Sequence, residues 1–338
     1  AIKFEEPWKV QCIDIEKPEP KEGRALVRVR AAGICGSDIG AFRGTNPLVS
    51  FPRIIGHEIV GEVLSIPEDN ARGIKAGDRV IVDPYLYCGT CYPCSVGRTN
   101  CCTDLKVLGV HVEGGMAEYM THPADMLWKL PDDMPWDIAP MAEPLTIALH
   151  GIHRGELAAG EHVAIIGAGP IGLLTGIVLK HAGASKIIIS DVDDARLAMC
   201  KEFGFETVNV KNESMIDYVN QATGNVGVDV VFECSGSEPS ALEITKLCRI
   251  GGMICLTGVH KVPHAVNLQD VNFKEQTLVG SRVYTLREFG QAVEYAKEIA
   301  PELEKIVTHV VPLAESEKVF DLIKDPGEMT VKVLVDCR

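Results

Sequence analysis

The stretch that decides the fold is His162-Val163-Ala164-Ile165-Ile166-Gly167-Ala168-Gly169-Pro170-Ile171-Gly172. A short apolar strand leads directly into the pattern G-x-G-x-x-G, and an apolar helix follows it, which is the context that this pattern requires. The first glycine permits a tight turn, the second lets the backbone approach a pyrophosphate, and the third lets the helix pack closely on the sheet. We therefore predict a dinucleotide site at Gly167, Gly169, Pro170, Ile171 and Gly172. A simple tight turn is the alternative for the glycine pattern taken alone.

A carboxylate follows at the distance that such a site needs. Asp191 ends the next apolar strand, nineteen residues after Gly172, where it accepts hydrogen bonds from the adenosine ribose hydroxyls and repels a 2'-phosphate. NAD is therefore the predicted cofactor rather than NADP, although the nearby Arg196 softens that preference. The alternative is that Asp191 is the N-cap of a helix over residues 192–199.

The pattern of the chain changes at Glu161. Before it, short β-branched runs at residues 25–29, 59–63 and 79–82 alternate with turn signals, which is typical of antiparallel β structure. After it, apolar strands alternate with helices, which predicts a parallel, doubly wound sheet. The predicted strands are residues 162–166, 186–190, 228–232, 253–256 and 277–279, and a later amphipathic helix covers 286–299. Residues 331–335 alternate like a half-buried strand, and we expect them to pair with the β-rich first part.

Four cysteines have the spacing of a structural zinc site. Cys88, Cys91, Cys94 and Cys102 form C-x2-C-x2-C-x7-C in a turn-rich stretch, so four thiolates are able to converge on one tetrahedral ion. The alternatives are chance proximity of thiols, or Cys101 in place of Cys102 as the fourth ligand. The remaining distant cysteines are interpreted as small core residues in a reducing compartment. They are Cys12, Cys200, Cys234, Cys248, Cys255 and Cys337.

A second set of candidate zinc ligands has a different character. Cys35 and His57 offer a thiolate and an imidazole, and the carboxylates of Glu58 and Glu143 are possible further ligands. Such a set leaves one exchangeable position on zinc, where a substrate hydroxyl binds and loses its proton near neutral pH. Taken singly, Cys35 and His57 are equally compatible with ordinary core residues.

The composition fits a protein that binds small molecules. Of the 338 residues, 46% are hydrophobic, which is enough for a large core and for more than one domain. The formal net charge of −14 argues against nucleic acid or an anionic membrane as a partner. The apolar run at residues 163–179 is interrupted by four glycines and Pro170 and is too short to span a membrane. No leader-like segment opens the sequence, so we expect a cytoplasmic protein.

Taken together, these motifs resemble the zinc-dependent medium-chain alcohol dehydrogenases, and specifically the branch of sorbitol and other polyol dehydrogenases and hexonate 5-dehydrogenases. The resemblance covers nearly the whole chain. It is carried by residues 33–38, 56–58, the four-cysteine stretch, 114–119, Glu143-Pro144, 167–172 and 233–236. It implies two zinc ions per subunit, one catalytic and one structural, together with NAD, and a homo-oligomer, either a tetramer or a dimer.

The resemblance also implies a fold of the α/β plus β class, in which a Rossmann domain is inserted into a GroES-like catalytic domain. The predicted boundaries are 1–147 for the first catalytic piece, with the structural zinc lobe at about 85–105, then 148–282 for the NAD-binding domain and 283–338 for the return to the catalytic domain. The catalytic zinc is expected in a cleft beside the nicotinamide.

Residue by residue, the resemblance makes Cys35 and His57 direct zinc ligands and leaves open whether Glu58 or Glu143 touches the metal. Asp38 corresponds to a residue that orients a ligand. Ser37 corresponds to the hydroxyl that accepts the substrate proton, with a local cap as the alternative. Many relatives have a histidine where this chain has Gly40, so the outward end of the proton relay departs from the family pattern.

The expected reaction is reversible oxidation of a secondary alcohol to a ketone. Arginines favour a sugar acid, such as gulonate, idonate or galactonate, because a guanidinium pairs with a carboxylate. The candidates are Arg43 and Arg282, with Arg53 also considered, and the alternative for each is solvent exposure or an internal ion pair. The runner-up substrates are a neutral polyol such as sorbitol or xylitol, then threonine. A catalytically silent NAD-binding protein is the alternative outside the enzymes.

Overall fold

The computed structural model describes residues 1–324 and 330–338, so five residues of the predicted return segment lie outside it. The chain forms two compact units, one made of Ala1–Glu143 with Thr285–Arg338 and the other of Pro144–Tyr284. The boundaries predicted at 147/148 and 282/283 lie within a few residues of these. No helix in the described part of the chain is long and apolar enough to cross a membrane.

The strands are β1 (Ile2–Glu6), β2 (Lys9–Cys12), β3 (Arg24–Gly33), β4 (Arg53–Ile54), β5 (Glu58–Ser65), β6 (Arg79–Val82), β7 (Tyr85–Leu86), β8 (Lys106–Val107), β9 (Tyr119–Pro123), β10 (Leu127–Lys129), β11 (His162–Ile166), β12 (Lys186–Asp191), β13 (Glu206–Asn209), β14 (Val228–Glu233), β15 (Cys248–Leu256), β16 (Thr277–Gly280), β17 (Val307–Pro312) and β18 (Lys332–Asp336). The helices are α1 (Gly36–Phe42), α2 (Tyr92–Ser95), α3 (Ala142–Gly155), α4 (Pro170–His181), α5 (Asp194–Glu202), α6 (Met215–Thr223), α7 (Glu238–Leu247), α8 (Leu268–Phe273), α9 (Leu286–Glu298), α10 (Ala300–Ile306) and α11 (Glu317–Lys324). Single 3-10 turns lie at Thr99–Cys101, Ala124–Met126, Ala139–Met141 and Leu313–Glu315.

The first unit is built around a seven-stranded sheet in the order β10-β6-β5-β3-β18-β17, with β9 also pairing with β3. Its long central strands β3 and β5 are antiparallel and bring Gly33 opposite Glu58. Strand β18 is antiparallel to β3, which confirms that the end of the chain returns to the β-rich first part. The core beneath this sheet is apolar and includes the edge-packed rings of Phe4 and Phe320, whose centroids are 5.1 Å apart.

The second unit is a six-stranded, all-parallel sheet in the order β13-β12-β11-β14-β15-β16. This is the doubly wound Rossmann order, in which the chain reverses direction across the sheet between β11 and β14. The predicted fold class is therefore confirmed for this unit. Ligands of such sheets bind beyond the carboxyl ends of the strands at that reversal.

Candidate functional site

The four predicted cysteines converge in the loop between β7 and β8. Cys91 Sγ lies 3.4 Å from Cys94 Sγ and 3.8 Å from Cys102 Sγ, and Cys102 Sγ lies 3.5 Å from Cys88 Sγ. Four sulfurs around a tetrahedral zinc, with Zn–S bonds of about 2.3 Å, would be about 3.8 Å apart, so the cluster fits this ion with little rearrangement. Cys101 is not in the group, although it is adjacent in sequence.

Backbone amides make the cluster suited to thiolates. The amide of Cys91 donates to Cys88 Sγ at 3.4 Å, and those of Cys88 and Asp104 donate to Cys102 Sγ at 3.3 and 3.4 Å. Backbone hydrogen bonds from Thr103 and Cys94 lower the pKa of the Cys91 thiol to about 6. Burial raises the pKa of the Cys94 thiol to about 12, so Cys91 meets a metal as a thiolate, whereas Cys94 has to lose its proton when the metal binds.

Replacing Cys91 with serine is expected to remove one zinc per subunit and to loosen the lobe at about 85–105. The lobe contains one four-residue helix and the two-residue strands β7 and β8, so the metal supplies most of its order. Metal content by elemental analysis and limited proteolysis within the lobe measure the effect. Cys101→Ser is the matched control, and an equal loss of metal in that variant would contradict the assignment.

The other cysteines are all free thiols. Cys200, Cys248, Cys255 and Cys337 are buried, as expected for core residues. The interpretation of Cys12 as a core residue is wrong, because its side chain is exposed.

The second candidate group lies where strands β3 and β5 and helix α1 meet. Ligand atoms of Cys35, His57 and Glu58 all lie within 4.8 Å of one another. Cys35 is the N-cap of α1, His57 directly precedes β5, and Glu58 begins β5, where its backbone pairs with Gly33 of β3. His57 and Glu58 are 4% and 1% exposed. Cys35 is partly buried, so a thiol, a buried imidazole and a buried carboxylate meet at one point, and these are groups that bind zinc.

Asp38 orients this group. Its Oδ2 accepts the Cys35 amide at 2.9 Å, and its Oδ1 lies 3.9 Å from His57 Nδ1. Burial lowers the pKa of His57, but the nearby Cys35 and Asp38 outweigh it and hold that pKa well above its usual value. The separation of Asp38 Oδ1 and His57 Nδ1 is longer than a hydrogen bond, and the buried Nδ1 of His57 has no hydrogen-bond partner among the described residues. The contact of Asp38 with the Cys35 amide agrees with its predicted role.

Glu143 stands at the start of α3, is 2% exposed, and acts electrostatically on His57. It is outside the close group of three, and the Tyr85 hydroxyl hydrogen-bonds it. Beside it, burial raises the pKa of Asp83 to about 7, with the Glu143 charge adding to the shift. Sequence reasoning missed Tyr85 and Asp83, which follow the predicted strand at residues 79–82 and carry no motif that marks them.

Lys332 is the most consequential residue that the sequence did not reveal. Its ammonium group contacts both carboxylate oxygens of Glu58, and the two side chains are 2% and 1% exposed. Burial lowers the pKa of Lys332, but Glu58 and Cys35 outweigh it and raise that pKa overall. Glu58 fills the space beside Gly33 at the end of β3, since a Cβ on Gly33 would lie 1.8 Å from Glu58 Oε2. Glu58 is therefore held by a cation as well as placed beside Cys35 and His57.

Ser37 lies in the first turn of α1, next to Cys35. Its Oγ is buried and has no hydrogen-bond partner in the described part of the chain, so the hydroxyl is available to a bound molecule. The N-cap of α1 is Cys35, so the alternative that Ser37 is a local cap is wrong. One turn later, a Cβ on Gly40 would meet only ordinary contacts, at 3.5 Å from Asn46 and 3.6 Å from Thr45.

The glycine turn of the second unit has the geometry of a phosphate cradle. Gly167 has a φ of +102°, and a Cβ on Gly172 would lie 1.8 Å from the Gly167 carbonyl oxygen. Gly169 is the N-cap of α4 and Pro170 follows it, while no side chain caps the helix. The first backbone amides of α4 are thus left for a ligand. Because glycines line this turn, an anion is able to approach the backbone closely and accept hydrogen bonds from these amides.

Asp191 ends β12 and accepts the Ala168 amide at 2.7 Å through Oδ2 and the Val192 amide at 2.7 Å through Oδ1. It therefore braces the glycine turn. The alternative N-cap role is wrong, because Asp193 caps α5. Arg196 lies 4.0 Å from Asp191 Oδ2, so it stands beside the predicted ribose contact.

The arginines proposed for a substrate carboxylate have different surroundings. Arg53 is paired with Glu113 at 3.2 Å and donates to Ser50 at 2.7 Å, so the internal ion pair describes it better than a substrate contact. Arg43 follows α1 and is exposed. Arg282 is exposed in the other unit, after β16.

Comparison with known proteins gives a consistent set of relatives. The family model for the alcohol dehydrogenase GroES-like domain matches residues 21–132, and that for zinc-binding dehydrogenases matches residues 170–298. An uncharacterized zinc-type alcohol dehydrogenase-like protein of Haemophilus influenzae is 42% identical over 98% of this chain and 97% of its own. A 2-dehydro-3-deoxy-L-galactonate 5-dehydrogenase of Pseudoalteromonas atlantica is 35% identical over 94% of this chain and 93% of its own. An alcohol dehydrogenase of E. coli CFT073, solved with NADH, superposes with a TM-score of 0.90 at 33% identity, covering 99% of this chain and 98% of that one.

Proposed function

This chain belongs to the zinc-type medium-chain alcohol dehydrogenases, and on that basis we propose that it oxidises a secondary hydroxyl of a sugar acid to a ketone with NAD as the acceptor, reversibly. The observation that carries the proposal is the convergence of Cys35 with the buried His57 and Glu58, in a chain that also has a glycine-lined helix start without a side-chain cap. Neither feature alone defines a dehydrogenase, whereas the two together supply a Lewis-acid site and a hydride acceptor site.

Cys35 and His57 hold the catalytic zinc in this proposal, with Glu143 or Glu58 as the third protein ligand. The bound zinc supplies a Lewis acid that acidifies an alcohol hydroxyl, and bound NAD supplies the acceptor for the carbinol hydride. Asp38 holds the backbone amide of Cys35, and Lys332 balances the charge of Glu58. The oxidised carbon loses one hydride and its oxygen loses one proton, so the products are the ketone, NADH and a proton.

Ser37 is the proposed acceptor of the hydroxyl proton, because its buried Oγ has no partner in the described residues and lies next to a proposed zinc ligand in sequence. Ser37→Ala is expected to lower kcat by about a hundredfold or more, the usual contribution of a positioned proton-transfer group. NADH affinity and zinc content are expected to stay at the wild-type level. Steady-state kinetics across pH, with metal analysis of the same preparation, make the measurement. Unchanged kcat would remove Ser37 from the reaction.

NAD is proposed over NADP because Asp191 places a carboxylate at the end of β12, where a 2'-phosphate would be repelled. The carboxylate of Asp191 is also fixed by backbone amides, so it has little freedom to move aside.

A sugar acid is proposed over a neutral polyol on two grounds. A relative over nearly the whole chain is named for a hexonate derivative. Arg43 and Arg282 are exposed arginines in a chain of net charge −14, and arginine is the side chain best suited to a carboxylate. The direct test is NAD reduction with a panel of hexonates, polyols and threonine, with zinc content measured alongside. Faster turnover of sorbitol or xylitol than of every hexonate would favour the polyol alternative.

The arginine contribution has its own test. Arg282→Leu is expected to raise KM for a hexonate by about tenfold, the size expected for one charged hydrogen bond, while KM for a polyol changes little. Arg53→Leu is the matched control, because it removes an arginine whose guanidinium contacts Glu113 and Ser50. Equal changes for the acid and the polyol would exclude Arg282 as the carboxylate contact.

A further inference from the structure

Glu233 is a buried carboxylate that the proposed reaction does not use. It ends β14 and has no exposed surface. Strand β14 neighbours β11 at the chain reversal of the parallel sheet, so Glu233 lies at the carboxyl edge where a dinucleotide is bound. Burying a carboxyl group costs several kcal/mol unless hydrogen bonds or a charge compensate it. The partners of Glu233 therefore indicate what the group is for.

The two oxygens of Glu233 bind two different segments. Oε1 accepts from the Ser235 amide at 2.9 Å, the Ser235 hydroxyl at 2.6 Å, the Gly236 amide at 2.9 Å and the Ser240 hydroxyl at 2.9 Å. Oε2 lies 3.0 Å from Nε2 of His260, which belongs to the segment after β15. One side chain thus joins the segments that leave β14 and β15.

Backbone contacts between these segments are equally close. The Glu233 carbonyl accepts the Thr257 and Gly258 amides at 2.9 and 2.7 Å. A Cβ on Gly258 would lie 2.5 Å from the Gly236 amide nitrogen, and a Cβ on Gly236 would lie 2.6 Å from the Val259 carbonyl oxygen. Only glycines permit this approach, so the two segments have one well-defined arrangement.

This joined pair of segments also touches the glycine turn. A Cβ on Gly167 would lie 3.1 Å from the Ser235 amide nitrogen. A doubly wound sheet has two mononucleotide-binding halves, and the half built on β11 and β12 takes the adenosine, whose ribose Asp191 contacts. The half built on β14 and β15 is left for the nicotinamide mononucleotide.

We propose that Glu233 and His260 are positioning residues for the nicotinamide half of the cofactor. Their contact connects residues 235–240 with residues 257–260 and keeps that half of the crevice in its binding conformation before the cofactor arrives. Such preorganisation reduces the conformational entropy that is lost on binding. This inference rests on the proposed use of a nicotinamide dinucleotide. It adds a role for residues that touch neither zinc nor the proposed proton acceptor.

The test compares NADH with AMP, which occupies only the adenosine half. In Glu233→Gln and His260→Leu, NADH affinity measured by fluorescence is expected to fall by about tenfold, the size expected for one lost buried hydrogen-bonding contact, while AMP affinity stays unchanged. His260→Gln retains a donor and is expected to recover most of the affinity. Hydrogen exchange of the free variants is expected to rise at residues 235–240 and 257–260 and not in β12.

The matched control is Asp229→Asn. Asp229 lies at the opposite end of β14 and pairs with Arg249 Nε at 2.6 Å, so it tests the loss of a carboxylate from the same strand away from the crevice. NADH affinity of this variant is expected to equal that of the wild type. If Glu233→Gln does not fold, His260→Leu carries the test by itself.

Two results would overturn the inference: NADH affinity within twofold of wild type in both variants, or an equal fall for NADH and AMP, which indicates general damage to the unit. Failure of the wild-type chain to bind NADH at all is a different result, because it would refute the proposed cofactor and this inference with it.

Discussion

Replacement of His57 by alanine is expected to abolish alcohol oxidation while one zinc per subunit remains. The imidazole is one of the three ligand groups within 4.8 Å, and the two that remain hold zinc weakly. The four-cysteine cluster shares no residue with this group and keeps its metal. Because the Lewis acid contributes several kcal/mol to the transition state, the rate is expected to fall by at least about a thousandfold.

The measurement combines zinc content with NADH binding in the same preparation. Retained NADH affinity would show that the loss of activity results from the missing metal ligand and not from damage to the second unit. His122→Ala is the control for removal of a buried histidine, since His122 is fully buried and its Nε2 lies 2.9 Å from the Asp83 carbonyl oxygen. That variant is expected to lose stability and to keep two zinc ions. Full activity of His57→Ala would contradict the catalytic site.

Replacement of Lys332 by methionine is expected to destabilise the first unit by about 3–5 kcal/mol, the usual cost of leaving a buried charge without its partner. Glu58 would remain 1% exposed and could not regain water without moving the backbone at Gly33. Urea unfolding of the zinc-loaded protein, followed by a probe in the first unit, measures this loss. We also expect weaker retention of the catalytic zinc against a chelator, because Glu58 no longer has a fixed orientation.

A second substitution separates the loss of the Lys332–Glu58 ion pair from the other effects of Lys332→Met. With Glu58→Gln in the same chain, the unpaired charge is gone, and at least about half of the lost stability is expected to return. The control is Lys129→Met, which removes a lysine from an exposed pair with Asp78 and is expected to leave the unfolding midpoint near that of the wild type. Equal destabilisation in the two lysine variants would contradict a special role for Lys332.

The sequence predicted most of the fold because its strongest signals are local. The glycine turn, the strand before it and the helix after it are contiguous, and the four cysteines lie within one loop, so spacing alone determines the chemistry. One detail of the cysteine loop could not be predicted from spacing. Cys101 and Cys102 are adjacent in sequence, and only the structure, with its 3-10 turn at Thr99–Cys101, shows that Cys102 belongs to the cluster.

The rest of the site could not be predicted because its contacts are distant in sequence. Alternation in residues 331–335 indicates a strand with Lys332 on the polar side, yet this side chain is 2% exposed. Its partner Glu58 is 274 positions away, and no pattern within the strand reveals a carboxylate at that distance. Tyr85 was missed for the same reason, since its contact with Glu143 depends on how α3 begins relative to β7.

The late position of Lys332 has a consequence during translation. Glu58 leaves the ribosome 274 residues before its counter-ion, which at synthesis rates of about 5–20 residues per second is roughly 14–55 s. In that interval the nascent chain has a carboxylate that is not yet neutralised, whereas the cysteine loop is already complete. The four-cysteine loop therefore needs no residue beyond Cys102, whereas the group around Glu58 lacks its buried counter-ion until the final strand is synthesised.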